Sequence, residues 1–492
     1  MSHLLAISIG PVQDFIAAAR RTADLYAGSQ ILQEICKAAA ESIHSNGGTL
    51  IFPSGPSADG ANKILAKVSG DPARLVETAK QAAQNKLLAL WKETTDKLSP
   101  EQKSLIDTQR AQEQLNHFLE FYAAWVPLGD NYPNARKTVE RLLAGRKALR
   151  EFSPTQQFDE GIPKSPLDPS RASIVLDLKP LTDVSPLYLR ATEHLDAVSL
   201  LKRCYGVLNS GKVVDTRTMA RRAARPKAMP DERHGEDDDK LQEPQPYYAI
   251  LVADGDKMGD LISQKNSPEE HQKLSATLDD FAQKAKKIVA EHHGFLVYSG
   301  GDDVLAMLPV NTAIACAKGL SEEFRHAIAC AKGLSEEFRH TVRGMLSAGV
   351  AIVHYREPLS LSLEAARTAE KAAKNGGRDS LAMALHTRGG APLTVVRKWD
   401  DLRWEELQKA YQAKGVSRGL AYELRELARE WQEEMRIDYL QAEAERILKR
   451  KEGKGLKLPE LHSIQDLEVF ANQLVIARFL SGIEAEMEVQ NG

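Results

Sequence analysis

Apolar residues along this chain alternate between short continuous runs and long stripes, and each change of pattern marks an element. Leu4 to Ile9 is almost wholly apolar, as a buried strand would be. Pro11 suits the first turn of a helix, and the apolar positions from Val12 to Tyr26 recur at helical spacing. Thr49 to Phe52 predicts a second strand. Ala/Leu/Lys/Glu/Gln-rich stretches over 72–98, 101–124 and 134–152 predict helices, Ser173 to Leu178 a strand and His194 to Tyr205 a short helix. Residues 1–210 thus read as a mixed α and β domain with a helical insertion.

The pattern then lapses. Residues 211–245 are poor in apolar side chains and carry a basic cluster, Arg217, Arg221, Arg222, Arg225 and Lys227, followed by an acidic run at 236–239. This is the composition of a solvated linker, the more frequent reading of such a stretch, although the arginines could also touch RNA phosphates. Beyond it come strand 247–253, helix 267–291, two apolar runs at 295–298 and 304–308, a helix from Ala313, strand 345–353, helix 361–374 and strand 381–385. The order β-α-β-β-α-β predicts a ferredoxin-like unit over 246–398, an antiparallel sheet with both helices on one face, closing on 345–353 or on 381–385. His292-His293-Gly294 reads as a helix end with the glycine at C′. From Trp399 onward the spacing is helical, so 399–492 reads as a C-terminal helical bundle.

Within the helix after the hairpin, Ala313 to His326 is repeated without change as Ala327 to His340. Fourteen residues at about 100° each return within roughly 40° of the starting face, so a second copy lengthens the helix while keeping its apolar stripe. A copy looped out at Gly319 or Gly333 fits the pattern as well. At 492 residues and 42% hydrophobic the chain exceeds one core. A formal net charge of -3 argues against a wholly basic nucleic-acid-wrapping protein. No apolar run is long enough to cross a membrane and no export signal is evident, which predicts a cytoplasmic protein. Cys36, Cys204, Cys316 and Cys330 have no metal-ligand spacing, so reduced, buried thiols and no zinc are expected.

The candidate chemistry lies in the second unit. Ser299-Gly300-Gly301-Asp302-Asp303 joins the two apolar runs at 295–298 and 304–308 and reads as a hairpin tip, with the Gly-Gly pair supplying positive φ and bare backbone for a phosphate. The strand 247–253 ends in Asp254-Gly255-Asp256, placing further acids at its carboxyl end. Two carboxylates about 4 Å apart repel by roughly 4 kcal/mol at an effective dielectric near 20, which divalent cations would reverse. The pattern therefore suits two-metal phosphoryl chemistry with Mg²⁺ or Mn²⁺. The alternative, in which these acids only solvate a turn and cap a helix, stays open. Lys374 and Arg378 flank Gly376-Gly377 and could grip a triphosphate, while Lys371 fits a helix C-terminus equally well. His234, beside Glu236 and Asp237 in the linker, is a lone histidine in a charged loop and only a weak metal candidate.

Three motifs together resemble the large subunit of type III CRISPR effector complexes, particularly the type III-B or Cmr branch. Gly10 to Thr22, continuing through Leu25 to Ser29, looks like the opening of that family's first palm domain; Val252 to Gly259 and Ser299 to Asp303 look like its second, catalytic palm. Weaker echoes at Leu195 to Arg203 and Ile476 to Ser481 extend the likeness over nearly the whole chain. The resemblance implies an α+β fold of two ferredoxin-like palm domains with helical insertions and a C-terminal bundle, and an enzyme that makes cyclic oligoadenylate from ATP when target RNA binds. It implies partners among the other complex subunits, guide RNA and target RNA, and no membrane. It implies catalysis and metal binding by Asp254, Asp302 and Asp303, and nucleotide binding by Gly255, Asp256, Ser299, Gly300, Gly301, Lys374 and Arg378. Two departures stand out: the chain opens almost at the first palm motif and contains no His-Asp dipeptide, so no HD nuclease is expected, and the paired-cysteine zinc knuckle is missing. Adenylation of S-adenosylmethionine, a stand-alone diguanylate-cyclase-like enzyme and a catalytically silent scaffold are the competing expectations.

Overall fold

The computed structural model describes residues 1–57, 62–149, 161–181, 187, 189–209, 213–223, 246–332, 346–413, 415–432, 436–451 and 456–491. Its frame is two sheets with the same internal strand order. The first comprises β1 (Ser2–Gly10), β2 (Thr49–Phe52), β3 (Lys63–Ser69) and β4 (Glu120–Pro127), arranged β2-β3-β1-β4 and antiparallel throughout. Strand alternation divides β1 between two cores. Leu5, Ile7 and Ile9 pack towards α2 (Thr22–Ser45) and α3 (Pro72–Thr95), while Leu4 and Ala6 meet Tyr132, Val139 and Leu143 of α6 (Tyr132–Leu149) on the other face.

Three expectations for this half are corrected. The single helix over 12–26 is α1 (Gln13–Ala17) followed by α2, because buried Lys202 donates to the carbonyls of Phe15 and Ala18 at 2.7 and 2.5 Å and takes the end of α1. The helix over 101–124 is instead α4 (Pro100–Ser104), opened by a Ser99/Gln102 capping box, then α5 (Thr108–Asn116), then strand β4. Alanines at 123 and 124 mask the period-two alternation there. Ser173–Leu178 forms an isolated bridge, Val175 with Ile106, rather than a strand. Helix α7 (Ala197–Leu208) starts on Asp196, whose carboxylate accepts from the amides of Val198 and Ser199.

Part of the segment read as linker is packed. Helix α8 (Thr216–Arg221), carrying Arg217 and Arg221, buries Met219 completely, and Arg222 donates to the His293 carbonyl at 3.0 Å. Arg225, Lys227, His234 and the acidic run lie outside the described residues.

The second sheet contains β5 (Tyr247–Gly255), β6 (Phe295–Gly300), β7 (Asp303–Pro309), β8 (Leu346–His354), β9 (Ser380–Leu385) and β10 (Leu393–Lys398), in the order β10-β9-β8-β5-β7-β6. The ferredoxin-like core closes on β8; β9 is added parallel to it and β10 antiparallel to β9. Strand β5 is apolar at nearly every position because both its faces are covered. Ala249, Leu251 and Ala253 face the core shared with α10 (Pro268–Glu291) and α11 (Ala313–Ala331), and Tyr248 and Ile250 face that shared with α12 (Leu359–Asn375). A short α9 (Met258–Ser263) follows β5. The left-handed residue after α10 is His293 (φ 58°), whereas Gly294 is needed because a Cβ there would stand 2.5 Å from Leu308.

Helix α11 runs through the first repeat copy into the second; residues 333–340 lie outside the described residues. The roughly 40° drift per copy is visible in its buried face. Cys316 is fully buried, but its repeat partner Cys330 is exposed, contrary to the expectation of four buried thiols, while Cys36 and Cys204 are buried. The C-terminal bundle is α13 (Trp404–Gln412), α14 (Leu420–Glu430), α15 (Ile437–Arg450) and α16 (Ile464–Asn491), tied to β10 by an Arg397–Gln473 bond of 3.1 Å. Among the described residues no helix is long and apolar enough to cross a membrane.

Candidate active site

Antiparallel register assembles the acids. Ala253 of β5 pairs with Val304 of β7, and one further step along the same register sets Asp254 opposite Asp303. Gly300 pairs with Asp303, so the turn itself is Gly301-Asp302, with Gly301 at φ 71°. This moves the tip one residue from the Gly-Gly expected: Asp302 is a turn residue and only Asp303 belongs to a strand. Gly255 permits the closure, since a Cβ there would lie 2.8 Å from both the Asp302 Cβ and the Phe324 ring.

Crowding leaves its mark on the carboxyls. Burial, then the charge of Asp254, pushes Asp302 up to about 6. Asp303 is also raised, by withdrawal of its carboxyl from water, a hydrogen bond shared with Asp254, and the Asp302 charge. The Asp303 residue nevertheless stays exposed at the sheet rim, so proximity to the other acids is the cause that counts there. Lys374 of α12 pairs with Asp254 and, at 2.7 Å, with Glu370 one turn earlier. Burial alone would lower the Lys374 ammonium, but its bonds to Asp254 and Glu370 outweigh that and hold it above the ordinary lysine range. Its position depends on Gly349 of β8, where a Cβ would run into the α12 backbone at Ala369 and Glu370.

Asp256 is not part of the acidic cluster. Its side chain is fully buried and accepts from Ser347 Oγ at 2.8 and 3.0 Å and from the Asp379 amide at 3.0 Å, with Arg378 Nε 3.9 Å away. Direct nucleotide contact, expected for this residue, is closed off by those partners. Ser299 is likewise buried, its hydroxyl without a hydrogen-bond partner among the described residues. Arg378 is half exposed at the rim.

Asp302 and Asp303 line a cleft of about 630 Å³ between the two sheet domains, a volume within the range of small-molecule sites. Its far wall comes from the first domain: Ser8, Lys63 and, on α6, Arg136 and Lys147. Polar contacts cross between the domains, Tyr132 Oη to His271 Nδ1 at 2.7 Å, Gln272 Nε2 to the Leu50 carbonyl at 2.8 Å, and Arg136 to the Ile262 carbonyl. None of these wall residues was found from sequence. The i,i+4 pair Glu370–Lys374 had a readable signal, whereas Lys63 and Arg136 had none. Among the described residues no three His, Cys, Asp or Glu side chains form a ready-made metal cage.

Residues 247–382 match the second palm domain of Cas10/Cmr2, and residues 4–123 match the N-terminal domain of the CRISPR-associated protein Cmr2. The CRISPR system Cmr subunit Cmr2 of Pyrococcus furiosus is 32% identical over 191 residues, covering 33% of this chain and 21% of that protein. The matched region is thus about a fifth of the relative's length. Type III-B Cmr-beta in its apo state has a similar fold, with a TM-score of 0.69 at 13% identity over 98% of this chain and 82% of that one. Csm1 of T. onnurineus gives 0.55 at 15% identity over 98% and 69%, and a Csm1–Csm4 cassette in complex with cA4 gives 0.52 at 14% over 98% and 70%. At such identities the likeness is one of fold, palm domains with a C-terminal helical region. With both characteristic domains in their expected order on the two sheets, the chain belongs to the Cas10/Cmr2 family.

Proposed function

We propose that this chain is the nucleotidyltransferase of a type III-B CRISPR effector complex, making cyclic oligoadenylate from ATP when guide RNA has captured a target RNA. The observation that carries this reading is the convergence of Asp254, Asp302 and Asp303 on one rim beside Lys374, with Asp302 and Asp303 lining the cleft between the palms. The donor set is hard oxygen. Mg²⁺ takes one or two protein carboxylates and completes its shell with phosphates and water, so three acids suit a pair of Mg²⁺ or Mn²⁺ ions without a complete protein cage. Bound there, the ions supply activation of a ribose 3′-hydroxyl and charge for departing pyrophosphate.

This chain's own residues do the rest. Lys374 provides the positive charge that Asp254 needs in the free protein and is placed to turn to an outer phosphate once Asp254 is otherwise neutralised. Arg378 adds a second cation at the same rim. Asp302 and Asp303 hold protons more tightly than free aspartate, so ion binding strengthens as the pH rises and those protons leave, that of Asp302 through about 6. The relatives solved with cA4 and with pppApA support the product class, and Cmr-beta solved bound to cognate target RNA supports the partners.

The test is mass analysis of products formed by the reconstituted complex with guide RNA, target RNA, ATP and Mg²⁺, with and without S-adenosylmethionine, beside an Asp302→Ala/Asp303→Ala control. Target-dependent cyclic oligoadenylate that vanishes in the control is expected. An S-adenosylmethionine adenylate would replace the acceptor assigned here, and no product under any condition would leave a scaffold.

A further inference from the structure

Gly377, Arg378 and Asp379, directly after α12, pass through three consecutive left-handed backbone conformations, with φ of 93°, 59° and 48°. Only the first is a glycine. Left-handed backbone at an arginine and an aspartate persists where the surroundings over-determine it, and such strain gathers at functional sites. Here the surroundings are unusually complete. Lys398 donates to the carbonyls of Gly377, at 2.8 Å, and of Arg378; Arg325 lies 3.9 Å from the Asp379 carboxylate; and Asp256 receives the Asp379 amide while facing the Arg378 guanidinium.

Asp254 and Asp256 stand two residues apart at the end of β5 but serve different partners. Asp254 meets Lys374, whereas Asp256 is turned inward to Ser347 and to the strained turn one helical turn beyond Lys374. We infer that Asp256 is a positioning residue, holding the Gly377–Asp379 turn so that Arg378 stands beside Lys374 and takes an outer phosphate of a bound nucleoside triphosphate. This rests on the nucleotide reading of the site. Asp256 does not meet the ligand itself, because its carboxylate is enclosed and its oxygens are committed. Its negative charge draws Arg378 inward and its acceptor oxygen fixes the Asp379 amide, so both handles of the turn lie on one side chain.

The experiment is equilibrium titration of the full chain with ATP, ADP and AMP in Mg²⁺, comparing the unaltered protein with Asp256→Ala, Asp256→Asn, Arg378→Ala and the Asp256→Ala/Arg378→Ala double variant. Hydrogen exchange over residues 376–380 is followed in parallel. Asp256→Ala and Arg378→Ala should each weaken ATP binding by about tenfold, the size of one lost charge-assisted contact, and leave AMP unchanged. The double variant should be no worse than either single one, and exchange at the Asp379 amide should rise in Asp256→Ala. Asp256→Asn, which keeps an acceptor but loses the charge, should fall between. Equal losses for ATP and AMP, or losses that multiply in the double variant, would make Asp256 a packing residue and overturn the inference. Should Asp256→Ala not fold, Asp256→Asn against Arg378→Ala decides by the same ATP-to-AMP ratio. An unaltered chain that binds no ATP would overturn the nucleotide reading and this inference together; ATP binding with an undisturbed ratio in the variants overturns this inference alone.

Discussion

Replacing Asp302 by asparagine should make the metal-free protein more stable, with a gain that develops as the pH rises from about 4 through 6. The folded state lifts this carboxyl from 3.8 to about 6, mainly by burial and then by the nearby Asp254 charge. The folded protein therefore binds the proton more tightly than the unfolded chain. Stability from that proton is fully present below about pH 4 and is lost as the pH climbs through 6. At pH 8 the ionised Asp302 weakens the fold by roughly 3 kcal/mol at most, and by less once local water relaxes around it. Asparagine keeps the shape without the charge. In chelator at pH 8 we expect Asp302→Asn to gain on the order of 1 to 3 kcal/mol in urea denaturation followed by circular dichroism, and almost nothing at pH 4. For a cooperative unit the size of the second palm, each kcal/mol corresponds to about 2 to 4 °C in melting midpoint. Millimolar Mg²⁺ should raise the midpoint of the unaltered protein and leave the variant where it was, because ligand binding stabilises only the form that binds it. A variant no more stable than the parent at pH 8, or one whose gain is equal at both pH values, would refute the argument that these acids are held together against their own repulsion.

Lys374→Met leaves Asp254 without its cation and removes a phosphate partner; ATP affinity should fall by roughly 1.5 to 3 kcal/mol in equilibrium titration, with AMP affinity nearly unchanged. Gly349→Ala places a methyl group against the α12 backbone and should destabilise the second palm by on the order of 3 kcal/mol in thermal melts, with loss of nucleotide binding because Lys374 moves with the helix. In the first palm, Arg203 donates to buried Asp24 at 2.9 Å and to buried Glu193 at 3.0 Å. Arg203→Met strands both acids and should lower stability by about 3 to 5 kcal/mol in urea, whereas adding Asp24→Asn and Glu193→Gln should recover much of the loss.

The legible parts of this chain were those whose pattern is local. Continuous apolar runs announced β1, β5 and β8, because strands covered on both faces need apolar residues at every position. The glycine pair announced the hairpin between β6 and β7, and periodic stripes announced α3, α10, α12 and the C-terminal bundle. Where a residue's fate depended on a distant partner, the local signal misled. Strand β4 hides behind alanines and is a strand because β1 lies alongside it. The break between α1 and α2 is made by Lys202, which arrives from α7. His293, not Gly294, takes the left-handed position at the end of α10.

The site divides the same way. Asp254, Asp302, Asp303, Lys374 and Arg378 could be named from residue type, spacing and family likeness, since acids at a strand end and cations beside a glycine pair carry chemistry wherever they occur. Sequence could not show that Asp256 turns away from the rim, since side chains two residues apart on a strand share a face until the strand ends and the chain bends at Lys257, φ 55°. Nor could it show that Ser8, Lys63, Arg136 and Lys147 of the first domain complete the cleft of the second. Periodicity and turn chemistry act over a few residues and are written along the chain; which acids share a proton, which cation answers them and what wall they face depend on register and domain docking, and those exist only once the two sheets have packed.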